Sequence, residues 1–333
     1  MHQTRDCVIL MAVAVAATYS VTFAQQQPVA AMFRDDLKRE QALALSFQPT
    51  ELPATGSASS SLHIYLSAGD LERAFDRSEF RPDAAIVPTN TQLVVTAASP
   101  TTQRVLISRI LKQPQVMADL QDQVTARKKQ APAAAADTAV LQIGVDSFVA
   151  QLPRGGSADV KRAFPRHVCL IATDFATGGA VDRRELFAQD RLRKGVAGCL
   201  AALDAAGAGS VTMPLLGAAS AETQSNDREY EGQRLLKECR HLNSAAGIAL
   251  GIHDFAGGRR AIREIGIVQW DREITDMFGS GRVAQAAYRV YAEQIKRAVT
   301  KGLAGDKTTA SDVDGSCSTT FSATGDPAPM GPR

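Results

Sequence analysis

Apolar and polar positions alternate over residues 62–66, where Leu62, Ile64 and Leu66 are separated by His63 and Tyr65, and this period of two predicts a strand. A short apolar run at 84–87 predicts a second, buried strand. Between 103 and 126 the apolar positions Val105, Leu106, Ile110, Met117, Leu120 and Val124 fall at helical spacing, with Pro114 as a kink or break. Residues 139–148 read as a strand with a bulge at Gly144, and 167–173 as another buried strand. Leu192, Val196, Leu200 and Leu203 mark one face of a helix that Gly207 and Gly209 end. A strand at 210–213 follows, then a helix over 228–243 with Leu235, Leu236, Cys239 and Leu242 inward. The pattern closes with a strand at 262–270, a helix starting near Arg272, and an amphipathic helix over 283–302 through Val283, Ala287, Val290, Ile295 and Val299. Strands separated by helices of this length predict an α/β protein built as a three-layer sandwich. No internal repeat is visible.

The two ends read differently. Arg5 precedes an apolar run from Cys7 to Ala24, and Thr22-Phe23-Ala24 offers fairly small residues before the polar Gln25-Gln26-Gln27-Pro28. That is the pattern of a secretory signal peptide, which would make the protein periplasmic or secreted, its N-terminal segment engaging the secretion machinery. The alternative is a single-pass membrane anchor, since the run lies at the short end of a spanning helix. Arg34, Lys38 and Arg39 are interspersed with Asp35, Asp36 and Glu40, so the flanking charge sets no orientation. Residues 25–60 read as a linker, Pro-, Gly-, Ser- and Thr-rich from Pro49 to Ser61. From Gly305 onward the chain is Gly, Ser, Thr, Asp and Pro, the composition of a disordered tail. The domain plan is therefore a leader at 1–24, a linker at 25–60, a folded unit at 61–281, a C-terminal helix at 282–304 and a tail at 305–333.

Composition narrows the function classes. A chain of 333 residues can bury one sizeable core. The net charge of +2, with no Lys/Arg stripe interleaved with aromatics, gives no reason to expect nucleic acid as a partner. Arg127, Lys128 and Lys129 read as a solvated helix end. The five cysteines, Cys7, Cys169, Cys199, Cys239 and Cys317, form no CxxC pair, which argues against structural zinc. Cys169 lies in an apolar run and Cys199 and Cys239 in helical patterns, so buried free thiols are expected rather than a disulfide framework.

Candidate chemistry clusters in four segments. The strand at 210–213 runs into Pro214, Leu215, Leu216 and Gly217; proline stops the ladder and glycine allows a tight turn or a close approach to a ligand. In an α/β sheet, ligands bind just past the carboxyl ends of strands. Asp70 and Leu71 follow the first strand, Asn90 follows the second in the sequence Val87-Pro88-Thr89-Asn90, and Trp270, the one tryptophan, ends the last strand before Asp271. In order and spacing these segments resemble the macro domain, an ADP-ribose-binding module, over roughly residues 62–278. The resemblance implies a mixed central sheet in the three-layer sandwich and assigns roles residue by residue. Asp70 would accept from the adenine amino group, Asn90 would hold the distal ribose, Trp270 would stack on the base, and Leu216, Gly217, Ala218, Ala219 and Ser220 would form the second phosphate loop, whose backbone N–H groups cradle a diphosphate.

Each residue also has a plain local role. Asp70 reads as an N-cap for a helix at 71–76, Asn90 as a turn residue and Trp270 as core. The chain departs from the family pattern too. Val87 and Pro88 replace the first asparagine and an alanine, Ala219 stands where a glycine is common, and residues 97–103 carry no glycine in the place of the first phosphate loop. There the hydroxyls of Ser99, Thr101 and Thr102 stand as substitute donors beside a helix N-terminus.

Other chemistry finds no support. There is no GxxxxGK[ST] loop and no GxSxG elbow. His241 and His253 lack the partners of a metal site, and Asp254 beside His253 reads as structural, in a connection before the last strand. No cofactor or metal is implied. The expected function is a binding module for ADP-ribose or a related NAD-derived nucleotide. The alternatives are an ADP-ribosyl hydrolase using the same pocket, for which residues 93–109 supply no acid, and a degenerate macro fold serving as a non-nucleotide interaction domain.

Overall fold

The structure is a computed structural model, and the residues it describes are 50–52, 61–69, 82–95, 114–130, 141, 146–152, 165–174, 189–216, 230–259, 261–270, 282–308, 310–313 and 317. The strands are β1 (Thr50–Leu52), β2 (Leu62–Gly69), β3 (Ala84–Asn90), β4 (Ser147–Gln151), β5 (His167–Asp174), β6 (Ser210–Pro214) and β7 (Glu264–Trp270). The helices are α1 (Pro114–Gln130), α2 (Gln189–Ala205), α3 (Tyr230–Ala256), α4 (Arg282–Leu303) and the short α5 (Ala310–Val313). The described strands form one sheet in the order β1-β2-β7-β6-β3-β5-β4. The five inner strands run parallel, and the edge strands β1 and β4 are antiparallel to their neighbours, so the sheet is mixed.

Strand side chains alternate between faces, and the apolar set divides accordingly. Ala84, Ile86, Cys169 and Ile171 pack with α2, α3 and α4, as do Val211, Met213, Ile265 and Ile267. Their sequence neighbours Ala85, Val87, Val168, Leu170 and Ala172 pack on the opposite face against Val116, Leu120 and Val124 of α1. A sheet apolar on both faces must be covered on both, which is why the strands read as continuous apolar runs and why the molecule has three layers.

Helix ends are set by local chemistry. Pro114 is the first described residue of α1, and a proline in a first turn costs no intrahelical hydrogen bond. Residues 103–113, expected to be helical, lie outside the described residues. Past α2, Gly207 takes φ +81°, its N–H reaching Asp204 O while Ala208 N–H reaches Leu203 O; Gly305 past α4 repeats this pattern at φ +85°. The Asp204 carboxylate then accepts from the N–H groups of Ala261 and Ile262, both at 2.8 Å, and so ties the end of α2 to the start of β7. Helices α3 and α4 cross closely at Gly302, where a Cβ would lie 2.6 Å from Ala249 Cβ and 2.9 Å from Ala246 O.

Several expectations need correction. Residues 50–52, placed in the linker, form β1 on the edge of the sheet. The strand sought at 139–148 begins at Ser147; Leu141 is a buried bend, and Gly144 lies outside the described residues. The helix expected to stop at 243 continues to Ala256, so His253 and Asp254 sit in its last turns rather than in a connection. On α4, Val290 is 61 % exposed, and Tyr288 and Tyr291 take the inward positions.

The cysteines differ most. Cys169 on β5 is disulfide-bonded to Cys199 on α2, and Cys239 on α3 to Cys317, with Cα separations of 5.9 and 5.7 Å. Thiols 30 and 78 residues apart give no local sign of pairing; the sheet and the helix layer bring them together. The second bond also draws part of the expected tail into the fold. Thr308 is buried and its carbonyl accepts from Gln189 Nε2, α5 follows, and Cys317 is buried against α3. Among the described residues no helix is long and apolar enough to cross a membrane. The N-terminal run at 7–24 and the helix sought near Arg272 lie outside them.

Candidate functional site

Because the five inner strands are parallel, their carboxyl ends meet at one edge of the sheet. In spatial order these ends are Gly69 (β2), Trp270 (β7), Pro214 (β6), Asn90 (β3) and Asp174 (β5). Gly69 pairs in register with Trp270, and Asn90 with Asp174.

The ladder between β3 and β6 is short. Ala84 pairs with Val211 and Ala85 with Thr212, and pairing stops there, although β3 runs on to Asn90 and stays paired with β5. Val87 and Pro88 lie in this stretch where β3 has lost one neighbour, and proline cannot donate to a ladder. The chain leaves β3 toward α1, β4 and β5 on one side, and leaves β6 toward α3 and β7 on the other. Connections that diverge from adjacent parallel strands make a topological switch point, the place where an open α/β sheet has its crevice.

The loop after β3 is pinned by its own residues. Asn90 Oδ1 accepts the Val94 N–H at 3.0 Å, and Asn90 O accepts the Leu93 N–H at 3.0 Å. Thr89 Oγ1 donates to Val94 O and Gln121 Nε2 of α1 to Val95 O. Asn90 therefore performs the turn role as well as ending its strand at the sheet edge. Leu93 holds φ +52° while fully buried, an uncommon conformation for a bulky residue, maintained by its packing in the α1-side core.

On the β6 side, Leu215 and Leu216 are buried. Leu216 O accepts a 2.6 Å hydrogen bond from Ser244 Oγ of α3, itself buried. One turn earlier on the same helix, His241 Nδ1 lies 2.7 Å from Tyr291 Oη of α4. Ser244 thus marks the point on α3 level with the strand ends. Cys239 and Leu242, earlier on the same helix, are buried in the core on this face of the sheet. Burial pushes the Tyr288 phenol, on the same face of α4, well above its ordinary value of 10.0. Sequence reasoning missed Ser244; its signal is a single hydroxyl among Leu242, Ala245, Ala246 and Ile248.

Of the predicted site residues, the structure brings Asn90, Leu216 and the backbone of Trp270 to one edge. Asp70, Leu71, Ser99, Thr101, Thr102, Gly217, Ala218, Ala219 and Ser220 lie outside the described residues. The histidines once weighed as ligands are structural. His241 meets Tyr291, and His253 Nδ1 meets Leu303 O at 2.9 Å. Asp254 binds Arg193 through two oxygens, and that hydrogen bond raises the guanidinium pKa. No group of three or more potential metal ligands occurs among the described residues.

No protein-family model matches the chain, and no curated protein matches it in sequence. Solved macrodomains match it in structure. A mutant of the Oceanobacillus iheyensis macrodomain is 10% identical with a TM-score of 0.40, over 77% of this chain and 100% of that one. The same macrodomain solved with ADP also gives 10% and 0.40, over 76% and 97%. The macrodomain of Thermus aquaticus DarG is 14% identical with a TM-score of 0.36, over 62% and 97%.

Proposed function

We propose that the chain is a divergent macro domain that binds ADP-ribose or a related NAD-derived nucleotide in the crevice outside the strand ends. One observation carries this reading: the strands that lead into the four sequence segments are neighbours in the sheet, and all four end at the same edge around the β3/β6 switch point. The pairing of Gly69, the residue before Asp70, with Trp270 supports an adenine subsite at that end. Asn90 ends β3, three strands from β2 and two from β7, with Leu216 after β6 between them. A ligand with a base at one end, a ribose at the other and a diphosphate between matches that order.

The test is calorimetric titration of ADP-ribose into the full chain, with AMP and NAD as comparisons. A truncation at 304 would remove Cys317 and is unsuitable. Saturable binding is expected, weakened about tenfold or more by Asp70→Ala, since a hydrogen bond to a charged acceptor is worth roughly 1.5–3 kcal/mol. Absence of binding at millimolar ligand would leave the interaction-domain reading in its place.

A second reading has one observation in its favour. Asp174 ends β5 in register with Asn90, so the fold sets an acid one strand from the proposed distal ribose, where the primary sequence offered none. In an ADP-ribosyl hydrolase that carboxylate would take a proton from the attacking water. Release of ADP-ribose from a modified peptide, abolished by Asp174→Asn with binding retained, is the result that would select it.

Export of the protein is part of the same proposal. The N-terminal pattern supports it, as do the two disulfides, which form and persist in oxidising compartments.

A further inference from the structure

We infer that the outer edge of β4 is a self-association surface, on which a second copy of this chain adds its own β4 in antiparallel pairing. The register decides which groups that edge offers. Leu152 N–H bonds Arg166 O on the β5 side, whereas the N–H and C=O of Gln151 are both taken by the side-chain amide of Gln123, at 3.0 and 2.7 Å. Residues along an antiparallel strand bond one neighbour and the other in alternation. Val149 and Ser147 share the phase of Gln151 and therefore direct both backbone groups outward, away from Cys169 and Ile171 opposite them. Among the described residues no hydrogen bond reaches those outward groups. Ser147, Phe148 and Val149 are half-buried rather than enclosed, and no charged residue occurs from Ser147 to Leu152. Edge strands that stay solitary are commonly guarded by charge, proline or a bulge, and this one carries no charge and no proline.

The occupant follows from the same register. Gln123 holds the place where a further strand would meet Gln151, so an added strand can bond only Val149 and Ser147. A twofold axis at Phe148 sets Val149 of each copy opposite Ser147 of the other, and every outward donor then meets an outward acceptor. An axis at Val149 would need Gln151 of both copies, which Gln123 already holds. An axis at Ser147 would set Val149 against residue 145, before the strand begins. The edge is thus complementary to itself in one register, the condition an isologous contact requires. Phe148, packed in part on the α1-side core, faces its own copy at the non-hydrogen-bonded position, where cross-strand side chains lie closest.

The experiment is sedimentation equilibrium of the full chain from micromolar to submillimolar concentration, beside Val149→Pro and Phe148→Lys, with circular dichroism reporting the fold. Proline at 149 removes an outward N–H and leaves the β4–β5 bonds in place, and lysine at 148 sets like charges against each other across the axis. The parent is expected to pass from the mass of one chain to that of two as concentration rises, and both folded variants to stay at one chain over the same range. Hydrogen exchange of the parent peptide covering 147–152 is expected to slow several-fold at the highest concentration. A parent that keeps the mass of one chain throughout overturns the inference and leaves the edge to an extended peptide of another protein. A dimer that persists in folded Val149→Pro, or that forms with exchange at 147–152 unchanged, overturns it as well, because the contact then lies elsewhere. If a variant fails to fold, the exchange measurement on the parent decides alone.

Discussion

Asp204 shows how much one side chain can organise. It is 8 % exposed and its carboxylate satisfies two backbone amides that would otherwise be left without an acceptor where the chain enters β7. Asp204→Ala is expected to cost about 1–3 kcal/mol per amide left unsatisfied, and Asp204→Asn distinctly less because it keeps a carbonyl oxygen. Urea unfolding midpoints of the two variants check this. Legibility at this scale follows chemistry. Asn90 was readable as a turn residue because asparagine at a strand end commonly bonds the backbone beyond it, and it does. Leu93 was not readable, since nothing in a leucine announces positive φ; only the packed core around it holds that conformation.

At the scale of elements, periodicity located the inner strands and α4 within about three residues, because each buries a continuous apolar face. It failed where the physical signal is weak. β1 has three residues, too few to show a period, and owes its existence to the open edge of β2. The extension of α3 beyond 243 is rich in Ala and Gly, residues that carry little pattern yet allow α2 and α4 to approach closely. Val290 satisfied the helical spacing but lies on the outer side of α4, whereas Tyr288 and Tyr291, three residues apart, lie on the buried face. The close crossing gives a prediction for these elements. Gly302→Ala would place a methyl group 2.6 Å from Ala249 Cβ and 2.9 Å from a helix carbonyl. Overpacking of this kind costs about 1–3 kcal/mol. A lowered thermal midpoint with unchanged helix content is the expected result, and an unchanged midpoint would show that the helices can separate without loss.

For the whole molecule, the layers followed from the alternation of strands and helices, whereas the strand order and the cysteine pairing depend on contacts that no local pattern encodes. The Cys239–Cys317 bond closes a span of 78 residues, and loop-closure entropy assigns such a bond about 4.5 kcal/mol. The Cys239→Ser/Cys317→Ser double variant is therefore expected to lose several kcal/mol in denaturant unfolding and to release the segment at 306–317 to protease. Parent-like resistance would show that burial of Thr308 and packing of Val313 against the core hold the segment unaided. The place of β7 has a different consequence. It inserts between β2 and β6, and its partner in β2 lies about two hundred residues earlier in the chain. Until residue 270 has been synthesised, β2 has no inner neighbour and the central sheet cannot close. A nascent chain must therefore remain open through most of its translation. For a protein proposed to leave the cytosol that is an advantage, since late closure keeps the polypeptide threadable and postpones both folding and thiol pairing to the far side of the membrane.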